Sequence, residues 1–145
     1  MTKIYLAHTL TNASKEAKYL LNLLKQYIEE NEHISILPFY GLGNRYEHSG
    51  DVYEYNFGQI RKADVVVAVL DYPSLGVGME IQYALSILKP VLGIRLDANR
   101  PLSRQIVGAL VTTSQPPILN FVATLTPKEM AKDINKRIYA IAREN

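Results

Sequence analysis

The chain has no cysteine and no tryptophan, and no run of five or more lysines and arginines. Without cysteine there is no disulfide framework, no thiol nucleophile and no cysteine-ligated zinc site. The formal net charge is only +2, too weak to mark a nucleic-acid groove. No apolar run approaches the roughly 20 residues needed to span a bilayer. His33 and His48 show no metal-ligand spacing, so neither a metal nor another cofactor is expected. The opening Met-Thr-Lys-Ile-Tyr-Leu-Ala reads as a strand and not as a targeting segment, and a cytoplasmic protein is the expectation.

What is present is a chain of 145 residues, 48% hydrophobic and 21% charged. That is one ordinary domain with a real core. Strand and helix patterns alternate along it. Lys3 to Ala7 is a short apolar strand. Ala13 to Glu30 follows as a helix with Leu20, Leu21, Leu24, Tyr27 and Ile28 on one stripe. Ile34 to Pro38 reads as a second strand, Tyr40 to Gly50 as a glycine-rich loop, and Asp51 to Lys62 as a helix with Asp51 a candidate N-cap. Asp64 to Leu70 is apolar on consecutive residues, as in a strand covered on both faces. A turn-rich segment, Asp71 to Gly78, leads to a helix expected over Met79 to Leu88. Val91 to Arg95 is a fourth strand. Pro101 suits the start of a short helix to about Leu110, and Ile118 to Val122 is a fifth strand. Thr126-Pro-Lys-Glu129 has the form of a capping box that opens the last helix, striped by Met130, Ile134, Ile138 and Ile141.

Strands alternating with helices predict a single α/β domain: a five-stranded parallel sheet between helical layers, in a flavodoxin-like order. Ligands of such sheets bind beyond the carboxyl ends of the strands. Two segments meet there, His8 to Asn12 and Asp71 to Glu80. In the second, Gly76 and Gly78 allow close backbone approach, and their amides, read as preceding a helix, suit an anion. Ser74 adds a hydroxyl donor. Glu80, expected in the first turn, either complements the helix dipole or faces the crevice. The spacing matches neither a dinucleotide fingerprint nor a P-loop. His8 stands at a strand end, and Tyr40 and Tyr46 flank the glycine-rich loop as candidates to stack on a base.

Asp64-Val-Val-Val-Ala followed by Pro73-Ser-Leu-Gly-Val-Gly-Met-Glu80 closely resembles the 2'-deoxynucleoside 5'-phosphate N-hydrolases of the nucleoside 2-deoxyribosyltransferase superfamily. The similarity extends to Ile4-Tyr5 and to Pro101-Leu-Ser-Arg-Gln-Ile-Val-Gly108. The resemblance implies hydrolysis of a nucleoside 5'-monophosphate to free base and sugar phosphate. It makes Glu80 the carboxylate at the anomeric carbon and Tyr5 the group that orients it. Ser74 is then a phosphate-binding serine, and Ser103 a second one contributed across a homodimer interface. Thr9 and the amides near Thr11 and Asn12 are further phosphate candidates. The related transferases carry aspartate where this chain has Ser74, and an aspartate would repel a phosphate.

The chain departs from the family at two places. The arginine often found near Thr11 is missing. The aspartate expected eight residues before Asp64 is Asn56, which can hydrogen-bond a base but cannot donate a proton as an acid. Asp51, Glu54 or Asp71 would have to take that role, or the base needs less help. The alternatives to a hydrolase are a deoxyribosyltransferase and a non-catalytic nucleotide-binding domain.

Overall fold

The computed structural model describes residues 1–9, 12–38, 49–113, 118–120 and 125–144. Its elements, in chain order, are β1 (Thr2–Ala7), α1 (Lys15–Glu29), β2 (Ile34–Ile36), α2 (Ser49–Lys62) and β3 (Val65–Val69). They continue as α3 (Leu75–Ser86), β4 (Val91–Arg95), α4 (Arg104–Thr113), β5 (Leu119–Asn120) and α5 (Pro127–Glu144). The strands pair in parallel in the order β2-β1-β3-β4-β5. The strand expected over Ile118 to Val122 is reduced to two paired residues, Leu119 and Asn120. Ile118 lies outside it, and positions 121 and 122 fall outside the described residues. Among the described residues no helix is long and apolar enough to cross a membrane.

Alternation along the strands divides the core into two faces. Ile4, Leu6, Val65, Val67, Val69, Leu92 and Ile94 point toward α1 and α5. Tyr5, Ala7, Val66, Ala68 and Leu70 point toward α2, α3 and α4. Every residue of β3 is buried, which accounts for its unbroken apolar run. Gly93 is required by close packing: a Cβ there would stand 2.7 Å from a Leu70 methyl and 3.0 Å from a Leu110 methyl.

Helix starts are set by side-chain caps. Ser14 Oγ accepts from the Ala17 amide at 3.1 Å and opens α1. Thr126 Oγ1 accepts from the Glu129 amide at 3.2 Å and donates to the Glu129 carboxylate, with Pro127 in the first helical position. Four helix starts differ from expectation, the first being that of α1, which begins at Lys15 and not at Ala13 because Ser14 is its cap. Helix α3 begins at Leu75, because Ser74 caps it, and so contains both glycines. Helix α4 begins at Arg104 and not at Pro101, because Ser103 Oγ takes the Ile106 amide at 3.4 Å. Helix α2 begins at Ser49, so Asp51 lies inside the first turn and is not the cap.

Candidate active site

Val77, Glu80, Ile81 and Ala84 recur at i, i+3, i+4, i+7 on α3. Val77, Ile81 and Ala84 are buried, so Glu80 belongs to the stripe that packs on the sheet. It is the sixth residue of its helix, not a first-turn residue, and its role is therefore not to complement the dipole. Tyr5 of β1, 2% exposed, lies on the same face of the sheet. The Tyr5 hydroxyl lies next to the Glu80 carboxylate and eases the burial of its charge. Glu80 Oε2 is buried with no hydrogen-bond partner among the described residues.

The electrostatics follow from this burial. Loss of water pushes the Glu80 carboxyl up to about 7, and the Tyr5 hydroxyl opposes that rise. Burial, reinforced by the Glu80 charge beside it, pushes the Tyr5 hydroxyl far above its ordinary value. Tyr5 therefore keeps its proton. The result is a carboxylate poised near neutrality beside a phenol, its Oε2 buried and without a hydrogen-bond partner among the described residues.

A cleft of about 390 Å³ between the starts of α3 and α4 is lined in part by Asn12, Ser74, Gly78, Ile81 and Ser103, with Tyr5 and Glu80 not among its lining residues. Ser74 Oγ caps α3 by accepting from the Val77 amide at 3.2 Å. Ser74 and Ser103 thus cap two helices whose N-termini border one cleft, and a hydroxyl that accepts a cap bond keeps a hydrogen to donate. The Gly78 amide closes the first turn of α3 on the Ser74 carbonyl at 3.2 Å. Of the two glycine amides, only that of Gly76 remains among the unbonded ones of the helix end. A Cβ at Gly78 would meet nothing within 4 Å, so glycine there leaves the cleft wall open.

The β1–α1 turn is held to the β3–α3 turn by Asn12 Nδ2, which donates to the Pro73 carbonyl at 3.1 Å. The Asn12 amide, expected among the phosphate donors, is instead spent on Thr9 Oγ1 at 3.1 Å. Thr9 is buried at the end of β1. His8 follows the alternation of Ile4 and Leu6, toward α1 and away from Glu80. Its Nδ1 donates to the Thr9 carbonyl at 3.0 Å. Burial, and then the charge of Lys25, lower its pKa to about 4, so His8 is neutral near pH 7 and offers a phosphate no positive charge.

Asn56 is half-buried on α2, one turn before Ile60. Ile60 packs in the same cluster as Tyr5, which puts Asn56 on the Glu80 side of the sheet. Asp51 and Glu54 are exposed. Asp71 is 1% exposed, and its Oδ2 is bonded to the Asp97 amide at 2.7 Å. Thr11, Tyr40, Tyr46 and His48 lie outside the described residues. Among the described residues no group of three or more acids or histidines is placed to hold a metal ion.

The chain is thus a parallel α/β sheet with a buried tyrosine beside a carboxylate on one face, and a cleft between two helix starts. The sequence model of the nucleoside 2-deoxyribosyltransferase family matches residues 4–120, and the chain belongs to that family. Among curated relatives it is similar to the 5-hydroxymethyl-dUMP N-hydrolase of Mus musculus, 44% identical over 59 residues, covering 40% of this chain and 34% of the relative. The Rattus norvegicus protein of the same name is 38% identical over 81 residues, covering 54% and 49%. The chain thus spans half or less of the length of these relatives. A solved structure of a CMP N-glycosidase from Clostridium botulinum shares the fold, with a TM-score of 0.67 at 16% identity, covering 92% of this chain and 99% of the other.

Proposed function

We propose that this protein hydrolyses the N-glycosidic bond of a nucleoside 5'-monophosphate, with Glu80 as nucleophile and no redox cofactor. The observation that carries the reading is the buried Tyr5–Glu80 pair, in a chain of this family. Glu80 Oε2 attacks C1' and the bond to the base nitrogen breaks, its electron pair leaving with the base. The glycosyl ester on Glu80 is then opened by water, which returns the carboxylate and releases the sugar 5-phosphate. A carboxyl near 7 is largely ionised just above neutrality and is still a competent leaving group in the second step. Tyr5 holds the carboxylate in line throughout.

Ser74 and Ser103 supply the phosphate contacts in this reading, supported by the two capped helix ends at one cleft. A serine at position 74 also favours a nucleotide over the unphosphorylated nucleosides that transferases use. Asn56 holds the departing base by a hydrogen bond, and its proton comes from solvent. A homodimer completes the picture. It is supported by Leu75 at 91%, Met79 at 54% and Val111 at 71% exposure on α3 and α4, apolar surface that a second copy would cover.

Chromatography of free base from a panel of deoxy- and ribonucleoside monophosphates, and the matching nucleosides, tests the reading. Release from monophosphates only, with release abolished by Glu80→Ala, is expected. Sugar transfer to an added base would make it a transferase. No release from any of them by folded protein would favour a binding domain, the reading that Asn56 supports.

A further inference from the structure

Asp71 stands two residues after the end of β3 and is almost wholly buried. Its bonds all run to one segment, residues 97–100 between β4 and α4. Asp71 Oδ2 accepts from the Asp97 amide at 2.7 Å. The Asp71 carbonyl accepts from Arg100 Nε at 2.8 Å. The Arg100 guanidinium also sits over the Tyr72 ring, 4.3 Å from its centroid. From below, Arg95 at the end of β4 donates through Nη2 to the Arg100 carbonyl. The segment closes on itself as well, with the Arg100 amide on the Asp97 carbonyl at 3.0 Å and the Asn99 amide on Asp97 Oδ1 at 2.9 Å.

The spacing on the two sides is the same. Ser74 stands three residues after Asp71, with Pro73 between. Ser103 stands three residues after Arg100, with Pro101 between. A proline fixes one backbone angle in each arm, so a pin at Asp71 and Arg100 limits where both serines go. Those serines line one cleft. The arrangement is costly. Asp71 Oδ1 and Arg95 Nε are buried with no hydrogen-bond partner among the described residues, and a loop that only had to be closed could avoid burying ionisable groups.

We propose that Asp71, with Arg95 and Arg100, is a positioning clasp that sets the β4–α4 loop, and through it Ser103, for the 5'-phosphate of the substrate. The inference rests on the phosphate-binding role assigned above to Ser103. It makes Asp71 a residue that touches no substrate and still governs substrate affinity.

The test compares Asp71→Ala, Asp71→Asn and Arg100→Ala in steady-state kinetics on the best monophosphate. Asp71→Ala and Arg100→Ala should raise KM about tenfold, the scale of one lost charge-assisted bond. Their kcat should stay within about threefold, because the bonds of Asp71 run to Asp97 and Arg100 and not to Tyr5 or Glu80. Asp71→Asn keeps an acceptor for the Asp97 amide and should restore most of the affinity. A fall in kcat at constant KM, or an unchanged KM in folded Asp71→Ala and Arg100→Ala, overturns the proposal. Two readouts do not depend on turnover. The Asp97 amide should exchange with deuterium faster in Asp71→Ala, and titration with inorganic phosphate should shift the Ser103 amide in wild type at lower concentration than in the variant. If wild type releases no base, the functional reading fails, and these readouts still decide the clasp: unchanged exchange, or no phosphate shift in wild type, overturns it.

Discussion

Replacing Glu80 with glutamine should make the protein more stable while abolishing base release. In the unfolded chain the Glu80 carboxyl titrates at its ordinary 4.5, and in the fold at about 7. The folded state therefore binds the extra proton between those values, and stability falls as pH rises through that window. The cost is absent below about pH 4.5 and fully developed above about pH 7. A difference of about 2.5 units at 1.36 kcal/mol each is about 3.4 kcal/mol, an upper bound. Glutamine has nearly the shape of glutamate and still offers the Tyr5 hydroxyl an oxygen, but it buries an amide beside the position of Oε2, which returns part of the gain. The expected net effect is roughly 2 kcal/mol at pH 8, or about 4–8 °C in Tm for a domain of this size.

The assay is thermal unfolding of wild type and Glu80→Gln at pH 8, 7, 6 and 4.5, followed by circular dichroism. The difference should shrink steadily toward acid and vanish near the lower end. A Tm difference independent of pH would refute the reasoning, since it would mean that the carboxyl is not held above its ordinary value by burial. A destabilised variant at pH 8 would refute it equally.

Tyr5→Phe removes the hydroxyl that eases the burial of the Glu80 charge. The Glu80 carboxyl should climb further, and the acid limb of the kcat/KM profile, which rises with pH as Glu80 ionises, should move about one unit upward. Activity at pH 7 should fall at least about fivefold and largely recover by pH 9. A limb that stays in place in stopped-assay pH profiles would separate Tyr5 from Glu80. Leu88 has φ 60° and is 90% exposed. It ends α3 in a Schellman turn, with the Leu88 amide on the Leu85 carbonyl at 3.1 Å and the Lys89 amide on the Ala84 carbonyl at 2.9 Å. Leu88→Gly relieves that left-handed residue and should add about 0.5–1 kcal/mol in urea denaturation without changing kcat.

Much of the scaffold was legible because its signals are local. The unbroken apolar run of Val65 to Val69 announced a strand covered on both faces, and Thr126-Pro-Lys-Glu129 announced the start of α5. The starts of α3 and α4 were misread for a common reason. Gly76 and Gly78 are poor helix formers, and Pro101 is a good first-turn residue, so the intrinsic preferences placed one start too late and the other too early. A serine cap decided both cases, at Ser74 and at Ser103, and a cap outweighs propensity over one turn. Reading each serine as a cap as well as a phosphate donor would have set both boundaries.

The membership of the site was harder to read, and the reason is parity. Tyr5 and His8 are three residues apart on consecutive positions of one strand and its exit, so they leave the sheet on opposite faces. Sequence pattern fixes which residues share a face, but not which face the Glu80 helix covers, because that depends on how α3 crosses the sheet. Once α3 packs over Ala68 and Leu70, the assignment is forced: Tyr5 meets Glu80, and His8 turns to Lys25. Of the acids considered in place of Asn56, Asp51 and Glu54 are exposed on α2 and Asp71 is bonded to the β4–α4 loop. Among the described residues singled out for the site, Glu80, Tyr5 and Asn56 supply a carboxylate, a phenol and an amide on the side of α2 and α3. Chemistry built from those three groups asks little proton donation of the protein, and it places the demand on the leaving base and on solvent.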